Sequence, residues 1–221
     1  MPVAAVVFDF DGLLVDTETP EFEAWSQVFQ EAGSILQLNE WAKCVGGGNP
    51  PWRVDEHLAE LVRGVDLDWA RKRAHELRDA VLIHAVWQPG AVELFDFLDR
   101  EGIKYGIASS SRNLWVDGFL QNLGARDRFP MIRTWDMVGR KKPDPLLYLS
   151  ACEALGVDPS VAVAFEDSPN GILAAKRAGM TAVAVPNSVT QQFDLSLADY
   201  QLTSLAEANL EFFKKIASSL V

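Results

Sequence analysis

The feature that most constrains this chain is the abrupt end of its first apolar run. Residues 3–8 read Val-Ala-Ala-Val-Val-Phe, and the run stops at Asp9-Phe10-Asp11-Gly12. A short run of β-branched and small residues without alternation suits a strand buried on both faces, the kind found in parallel sheets covered by helices. Where it stops, two carboxylates stand one residue apart. Holding them together takes a cation, a shared proton, or a reaction that uses one as nucleophile and the other as acid. The alternative for D-x-D-G taken alone is an Asp-rich turn in which Gly12 lets the backbone bend. The rest of the chain has to decide between them.

Strand and helix alternate around an all-helical interval. Phe22, Trp25, Val28, Phe29 and Ala32 recur at helical spacing, with Thr19 expected to cap that helix, Pro20 at its first position and Gly33 past its end. Residues 41–45, 54–62 and 68–84 read as further helices. Gly46-Gly47-Gly48-Asn49-Pro50-Pro51 joins two of them, as a plain turn or as a loop that reaches toward a site. Gln88-Pro89-Gly90 then opens a helix closing at Gly102. Strands are expected at 103–108, 131–134, 161–165 and 181–185, with 200–202 at an edge. Helices are expected to carry Trp115, Phe119 and Leu123; to span 146–155 behind Asp144 and Pro145; to run from Pro169 to Gly179; and to span 204–218. The expected fold class is α/β, a Rossmann-like parallel sheet core with helices on both faces plus a small α-helical cap domain. Residues 1–16 and 87–221 are expected to form the core, and 17–86 the cap.

Ligands of such sheets sit beyond the carboxyl ends of the strands. Asp9, Asp11, Ser109, Glu166 and Asp167 each fall at such an end, so one cleft would gather them. With Lys142-Pro143, this set resembles the haloacid dehalogenase-like superfamily over nearly the whole chain. Asp9-Phe10-Asp11-Gly12-Leu13-Leu14-Val15-Asp16 is similar to its first motif, Ser109 to the second, Lys142-Pro143 to the third and Glu166-Asp167 to the fourth. Asp167-Ser168-Pro169-Asn170-Gly171 and the insert after motif one further resemble the subgroup of β-phosphoglucomutase and phosphoglycolate phosphatase.

The resemblance implies phosphoryl transfer through an aspartyl phosphate. Asp9 is then the nucleophile, and Asp11 the acid toward the leaving oxygen and the base toward water. Mg²⁺ would be held by Asp9, the backbone carbonyl of Asp11 and Asp167, with Glu166 beside it or bound through water. Ser109, with the N–H groups of Ser110 and Ser111, would take phosphate oxygens. Lys142 would offset the crowded negative charge, with Lys141 as the competing assignment, and the Lys142–Pro143 peptide is expected to be cis. Arg112 and Asn113 match a substrate-side pair in the mutase-like members, an ordinary helix start being the alternative. In the cap, Glu21 stands where the mutase pattern has a histidine, Arg53 is a candidate for a distal phosphate, and Trp25 matches a cleft-lining position. His57, His75 and His84 read as helix-face residues.

Composition narrows the partner. At 221 residues with 48% hydrophobic content the chain can fill a sizeable core, and its net charge of −11 speaks against nucleic acid, whose binding rests on neutralising phosphates. Cys44 and Cys152 form neither a disulfide framework nor a zinc spacing, and no apolar stretch is long enough to span a membrane. The expectation is a cytoplasmic protein, monomeric or weakly self-associating, that acts on a small phosphorylated metabolite. Hydrolysis of a phosphomonoester, a sugar phosphate foremost, is the first reading. A β-phosphoglucomutase-like mutase is the second, weakened by Glu21 and by Val45 before Gly46, where the mutase pattern has lysine. Dehalogenation would leave Asp11 and Asp167 idle, and phosphonate cleavage lacks a clear imine-forming lysine among Lys43 and Lys72. An inactive binding or regulatory relative is disfavoured because nucleophile, acid, lysine and metal carboxylate are all in place.

Overall fold

A computed structural model describes residues 3–45 and 52–219; the stretch 46–51, read from sequence as a plain turn or a loop toward the site, lies outside the described residues. Among those described, the strands β1 (Ala5–Phe8), β2 (Lys104–Ser109), β3 (Ile132–Thr134), β4 (Ala162–Glu166), β5 (Thr181–Ala184) and β6 (Tyr200–Gln201) form one sheet in the order β3-β2-β1-β4-β5-β6. Every neighbouring pair is parallel. β1 therefore lies between β2 and β4, with Phe8 level with Ile107 on one side and Phe165 on the other. That register brings the ends of the three strands carrying Asp9, Ser109 and Glu166 to one edge of the sheet.

Side chains alternate across the pleat, and the two faces differ in size. Val6 and Phe8 join Val163, Phe165 and Ile107 in a cluster that also takes in Phe95 and Leu98 of α5 (Ala91–Glu101), Phe119 of α6 (Asn113–Asn122) and Phe213 of α10 (Leu210–Ser219). On the other face Ala5, Val7, Ala162, Ala164 and Ala182 leave room for Leu147 and Tyr148 of α8 (Leu146–Leu155) and Ile172 and Ala175 of α9 (Pro169–Arg177). The small residues let α8 and α9 approach closely, and this brings Tyr148 to the active edge. Phe8, fully buried against the rings of Phe95, Tyr105 and Phe165, is a point of tight packing where truncation to alanine costs about 3–5 kcal/mol.

The interval between β1 and α5 is helical: α1 (Glu18–Glu31), α2 (Leu38–Val45), α3 (Val54–Leu61) and α4 (Leu67–Leu82). These helices enclose a cluster with Trp25, Val28, Phe29, Trp41, Leu58, Ala70 and Ala74, which Val189, from the loop after β5, also joins. Arg73 is paired with Glu31, and Arg78 with Glu21, between α4 and α1. Two adjacent strips of backbone join the helical unit to the sheet. Gly12 N donates to Val15 O and Gln88 N to Leu14 O, each at 2.8 Å, and Val15 bridges Trp87.

Two helix starts differ from expectation. α1 begins at Glu18, ahead of Thr19, because the Asp16 carboxylate accepts from Thr19 N at 3.0 Å and does the capping itself. Pro20 then falls third in the helix, still in the first turn, where its missing N–H forfeits no bond. The closing helix starts at Leu210 rather than near Ser204. Ser204 opens only a short 3₁₀ turn, Leu205–Glu207, and Asn209 caps α10 by accepting from Glu211 N and Phe212 N. A one-turn helix α7, Trp135–Val138, had no signal in the sequence pattern.

Candidate active site

The strand ends deliver a buried acidic cluster. Carboxylate oxygens of Asp9, Glu166 and Asp167 all lie within 4.8 Å of one another. Lys142, on the loop before α8, reaches in with its side chain only 4% exposed, and its Nζ donates to Asp9 Oδ1 and to Glu166 Oε1, each at 2.6 Å. The Lys142–Pro143 peptide is cis, and Lys142 N donates to Ser110 Oγ at 3.2 Å. Lys142, not Lys141, is thus the cation inside the cluster. Lys141 lines the cleft above and stands 5.1 Å from the Trp135 ring.

One ammonium does not balance three carboxylates removed from water. Burial, then the Glu166 charge, pushes Asp9 up to about 7 despite Lys142, and burial with the Asp9 charge raises Asp167 well above the usual carboxylate range. Burial works against the charge of Lys142, but Asp9 and Glu166 keep it firmly protonated. Tyr148 donates its hydroxyl to Glu166 Oε1 at 2.5 Å, and its own ionisation is pushed upward by burial and the Glu166 charge.

Backbone packs closely against the acids. A Cβ on Gly12, whose φ is +77°, would sit 2.4 Å from Asp167 Oδ2, and one on Gly171 would sit 1.9 Å from the Glu166 carboxyl. Ser168 caps α9 through Gly171 N and also donates to Glu166 Oε2. Asn187, which the sequence pattern did not single out, donates Nδ2 to Asp167 Oδ2 at 2.8 Å and to Gly12 O at 3.1 Å. Its Oδ1 accepts from Val189 N and Thr190 N, which fixes the amide so that its NH₂ faces the acid.

Asp11 is held apart from this cluster. Its Oδ1 accepts from Trp115 Nε1 at 2.7 Å and Thr17 Oγ1 at 3.2 Å; its Oδ2 accepts from Ser111 Oγ at 2.7 Å and Ser109 Oγ at 3.2 Å. Ser109, fully buried, also accepts from Ser111 N at 2.9 Å.

A cleft of about 360 Å³ opens over these groups, lined by Asp9, Asp11, Ser110, Lys142, Asp167 and Glu21 among the residues singled out from sequence. Ser111, expected beside Ser110, lines it too, and the cleft adds Thr17, Glu18, Trp115, Ser168 and Asn170. Burial, then the Asp11 charge, pushes Glu18 up to about 8. Glu21 is paired with Arg78 at 3.1 Å. Arg112, Asn113 and Arg53 do not line the cleft. Arg112 lies 5.9 Å from the Trp135 ring, Asn113 N donates to Asp136, and Arg53 is paired with Asp55 and Glu56. The local reason for Arg53 is charge, since two carboxylates of its own helix start lie closer than the cleft.

Comparison with known proteins agrees with this geometry. The model of the haloacid dehalogenase-like hydrolases matches residues 3–179. The chain is 40% identical over 211 residues, 94% of each chain, to the "Putative phosphatase YhcW" of Bacillus subtilis. It is 33% identical to the fructose-1-phosphate phosphatase YqaB of Escherichia coli, over 82% of this chain and 96% of that one. Among solved structures, a HAD family hydrolase from Deinococcus radiodurans with bound phosphate and sodium superposes with a TM-score of 0.82 at 29% identity, covering 100% of this chain and 98% of the other. The matched span takes in all the acidic strand ends and Lys142, and relatives that share almost the full length are phosphatases by name; the chain belongs to the haloacid dehalogenase-like hydrolases and is an enzyme of phosphatase type.

Proposed function

We propose that the enzyme hydrolyses a small monophosphate, a sugar phosphate, through an aspartyl phosphate on Asp9, with Mg²⁺ as its cofactor. The observation that carries this reading is the contact of Lys142 with both Asp9 and Glu166 on the floor of a polar cleft, beside Asp167 and below Asp11. The donor set suits Mg²⁺, since three carboxylates within 4.8 Å offer hard oxygens and an excess of negative charge that Lys142 alone does not offset. Asp9, Asp167 and the carbonyl of Asp11 would hold the ion, with Glu166 beside it, and the ion would supply charge neutralisation at the phosphate oxygens.

The chain's own groups account for the remaining steps. An Asp9 oxygen bonds to phosphorus as the bond from phosphorus to the sugar oxygen breaks, and Asp11 gives its proton to that departing oxygen. Water then bonds to phosphorus while Asp11 takes its proton, the Asp9–phosphorus bond breaks, and inorganic phosphate leaves. Ser110 and Ser111 line the phosphate side, and Lys142 favours the charged form of Asp9 against the pull of burial and aims its carboxylate.

The helical unit, residues 17–86, acts in this reading as a cap that closes over the cleft and excludes water. It presents Glu18 and Glu21, carboxyl groups suited to hydrogen bonds with sugar hydroxyls. Arg53 is occupied within the cap by Asp55 and Glu56, and Arg78 beside the cleft is paired with Glu21, which disfavours a distal phosphate. The E. coli relative named for fructose 1-phosphate supports the substrate class.

The test is phosphate release from a panel of sugar monophosphates and bisphosphates with Mg²⁺, alongside a coupled assay for glucose 6-phosphate formed from β-glucose 1-phosphate. Steady release from monophosphates, lost in Asp9→Asn, is the expected result. Isomerisation with little free phosphate would make the enzyme a mutase, and release surviving in Asp9→Asn would remove the covalent route.

A further inference from the structure

The cleft wall contains a group that the scheme above does not use. Trp115, on α6, lines the cleft and donates Nε1–H to Asp11 Oδ1 at 2.7 Å. An indole N–H can only donate, whereas the hydroxyls of Thr17, Ser109 and Ser111 can turn and accept. The four donors divide by oxygen. Ser109 and Ser111, from the end of β2 and the loop after it, hold Oδ2, while Trp115 and Thr17 hold Oδ1. A phosphate arriving at that loop competes for the serine hydroxyls. Oδ2 is then released, and Oδ1 keeps its own donors.

The indole is itself fixed. It lies edge-to-face on Phe119 at 4.9 Å, and Phe119 lies 5.8 Å from Phe10, the fully buried residue between the two aspartates. Against the same indole, the Arg78 guanidinium stands 5.4 Å from the ring centroid while donating to Glu21 at 3.1 Å. An arginine of the helical unit thus rests on the residue that grips an aspartate of the sheet unit.

We propose that Trp115 is a positioning residue for Asp11, pinning the carboxylate through Oδ1 so that Oδ2 serves the leaving oxygen, and that Arg78 links this alignment to the placement of the helical unit. The inference rests on the reading of Asp11 as the group that protonates the leaving oxygen. Its signature is dependence on the leaving group, because an alkoxide needs that proton and a nitrophenolate does not.

Trp115→Phe keeps a ring between Phe119 and Arg78 and removes the N–H. Two esters are compared: 4-nitrophenyl phosphate, and whichever of fructose 1-phosphate, glucose 6-phosphate and glycerol phosphate the wild type turns over fastest. On the alkyl ester kcat is expected to fall about tenfold with KM moved less than about twofold, the scale of losing one hydrogen bond to a charged acceptor. On the aryl ester the fall is expected to stay under about twofold. Arg78→Met is expected to move the ratio of the two esters in the same direction by about threefold. If Asp11→Asn loses the alkyl ester while Trp115→Phe lowers both esters equally, or neither, the proposal is wrong and the reading of Asp11 stands. If Asp11→Asn keeps the wild-type ratio, that reading falls and takes the proposal with it. Indole ¹⁵N–¹H spectra decide the matter even if Trp115→Phe does not fold. Asp11→Asn is expected to shift one of the seven indole resonances, and no shift overturns the proposal.

Discussion

At Gly12 the backbone does what a side chain would prevent. Its φ of +77° and the 2.4 Å separation between a virtual Cβ and Asp167 Oδ2 place two penalties on one position. Gly12→Ala is expected to push the Asp167 carboxylate off the cluster, lowering kcat/KM by at least about tenfold and stability by about 1–3 kcal/mol, read from steady-state kinetics and urea midpoints. The residues that carry the cluster were legible in the sequence, since Asp9, Glu166 and Asp167 each interrupt an apolar run where a strand must end. Asn187, Trp115 and Arg78 were not. Asn187 acts on Asp167 from twenty positions further along the chain, a proximity that exists only after β5 has paired with β4. Trp115 belongs to an i, i+4 series with Phe119 and Leu123, which reads as a buried face, and only folding shows its N–H turned to Asp11.

Among the elements, α3 and α4 are joined by charge as well as by their apolar faces. Asp55, only 5% exposed, accepts from Arg53 at 3.0 Å and from Arg71 Nε at 2.7 Å. Burial works against its ionisation, but the two arginines prevail and hold it at about 2, below its ordinary value of 3.8. The linkage has a definite sign. Folding gains from this carboxylate above about pH 4, and the gain disappears as pH falls through about 2. Asp55→Asn is expected to cost about 1 kcal/mol at pH 7, because both arginines remain partly exposed, and progressively less as pH falls from about 4 through about 2; urea midpoints across that range check it. The strands and most helices were readable from apolar periodicity. Helix starts were less so, because Asp16 and Asn209 cap through short-range hydrogen bonds that several neighbouring residues could equally supply.

For the whole molecule, the acidic cluster would couple the proposed Mg²⁺ to folding. Three buried carboxylates facing one lysine are a cost to the fold that a divalent cation relieves, and a ligand that binds only the folded state stabilises it by mass action. Mg²⁺ at about a hundred times its dissociation constant is expected to add about 2.7 kcal/mol, raising Tm by about 5–10 °C for a chain of this size. EDTA should reverse the rise and Asp167→Asn should abolish it; a melting curve indifferent to Mg²⁺ would refute the metal assignment. The parallel sheet was foreseeable because strand and helix alternate. The all-helical interval was legible as well, whereas the reach of Arg78 back to Trp115 joins two segments far apart in the chain and had no local signature.

The paired backbone strips that join the two units have an evolutionary corollary. The chain leaves the sheet at Leu14 and Val15 and returns at Trp87 and Gln88, side by side and hydrogen-bonded. An insert whose two ends meet can be lengthened, shortened or exchanged wholesale without re-threading a single strand. Descent can therefore recruit new substrates by trading helical modules on an unaltered chemical platform, and a laboratory chimera cut at the same doorway should inherit its phosphoryl chemistry from one parent and its selectivity from the other.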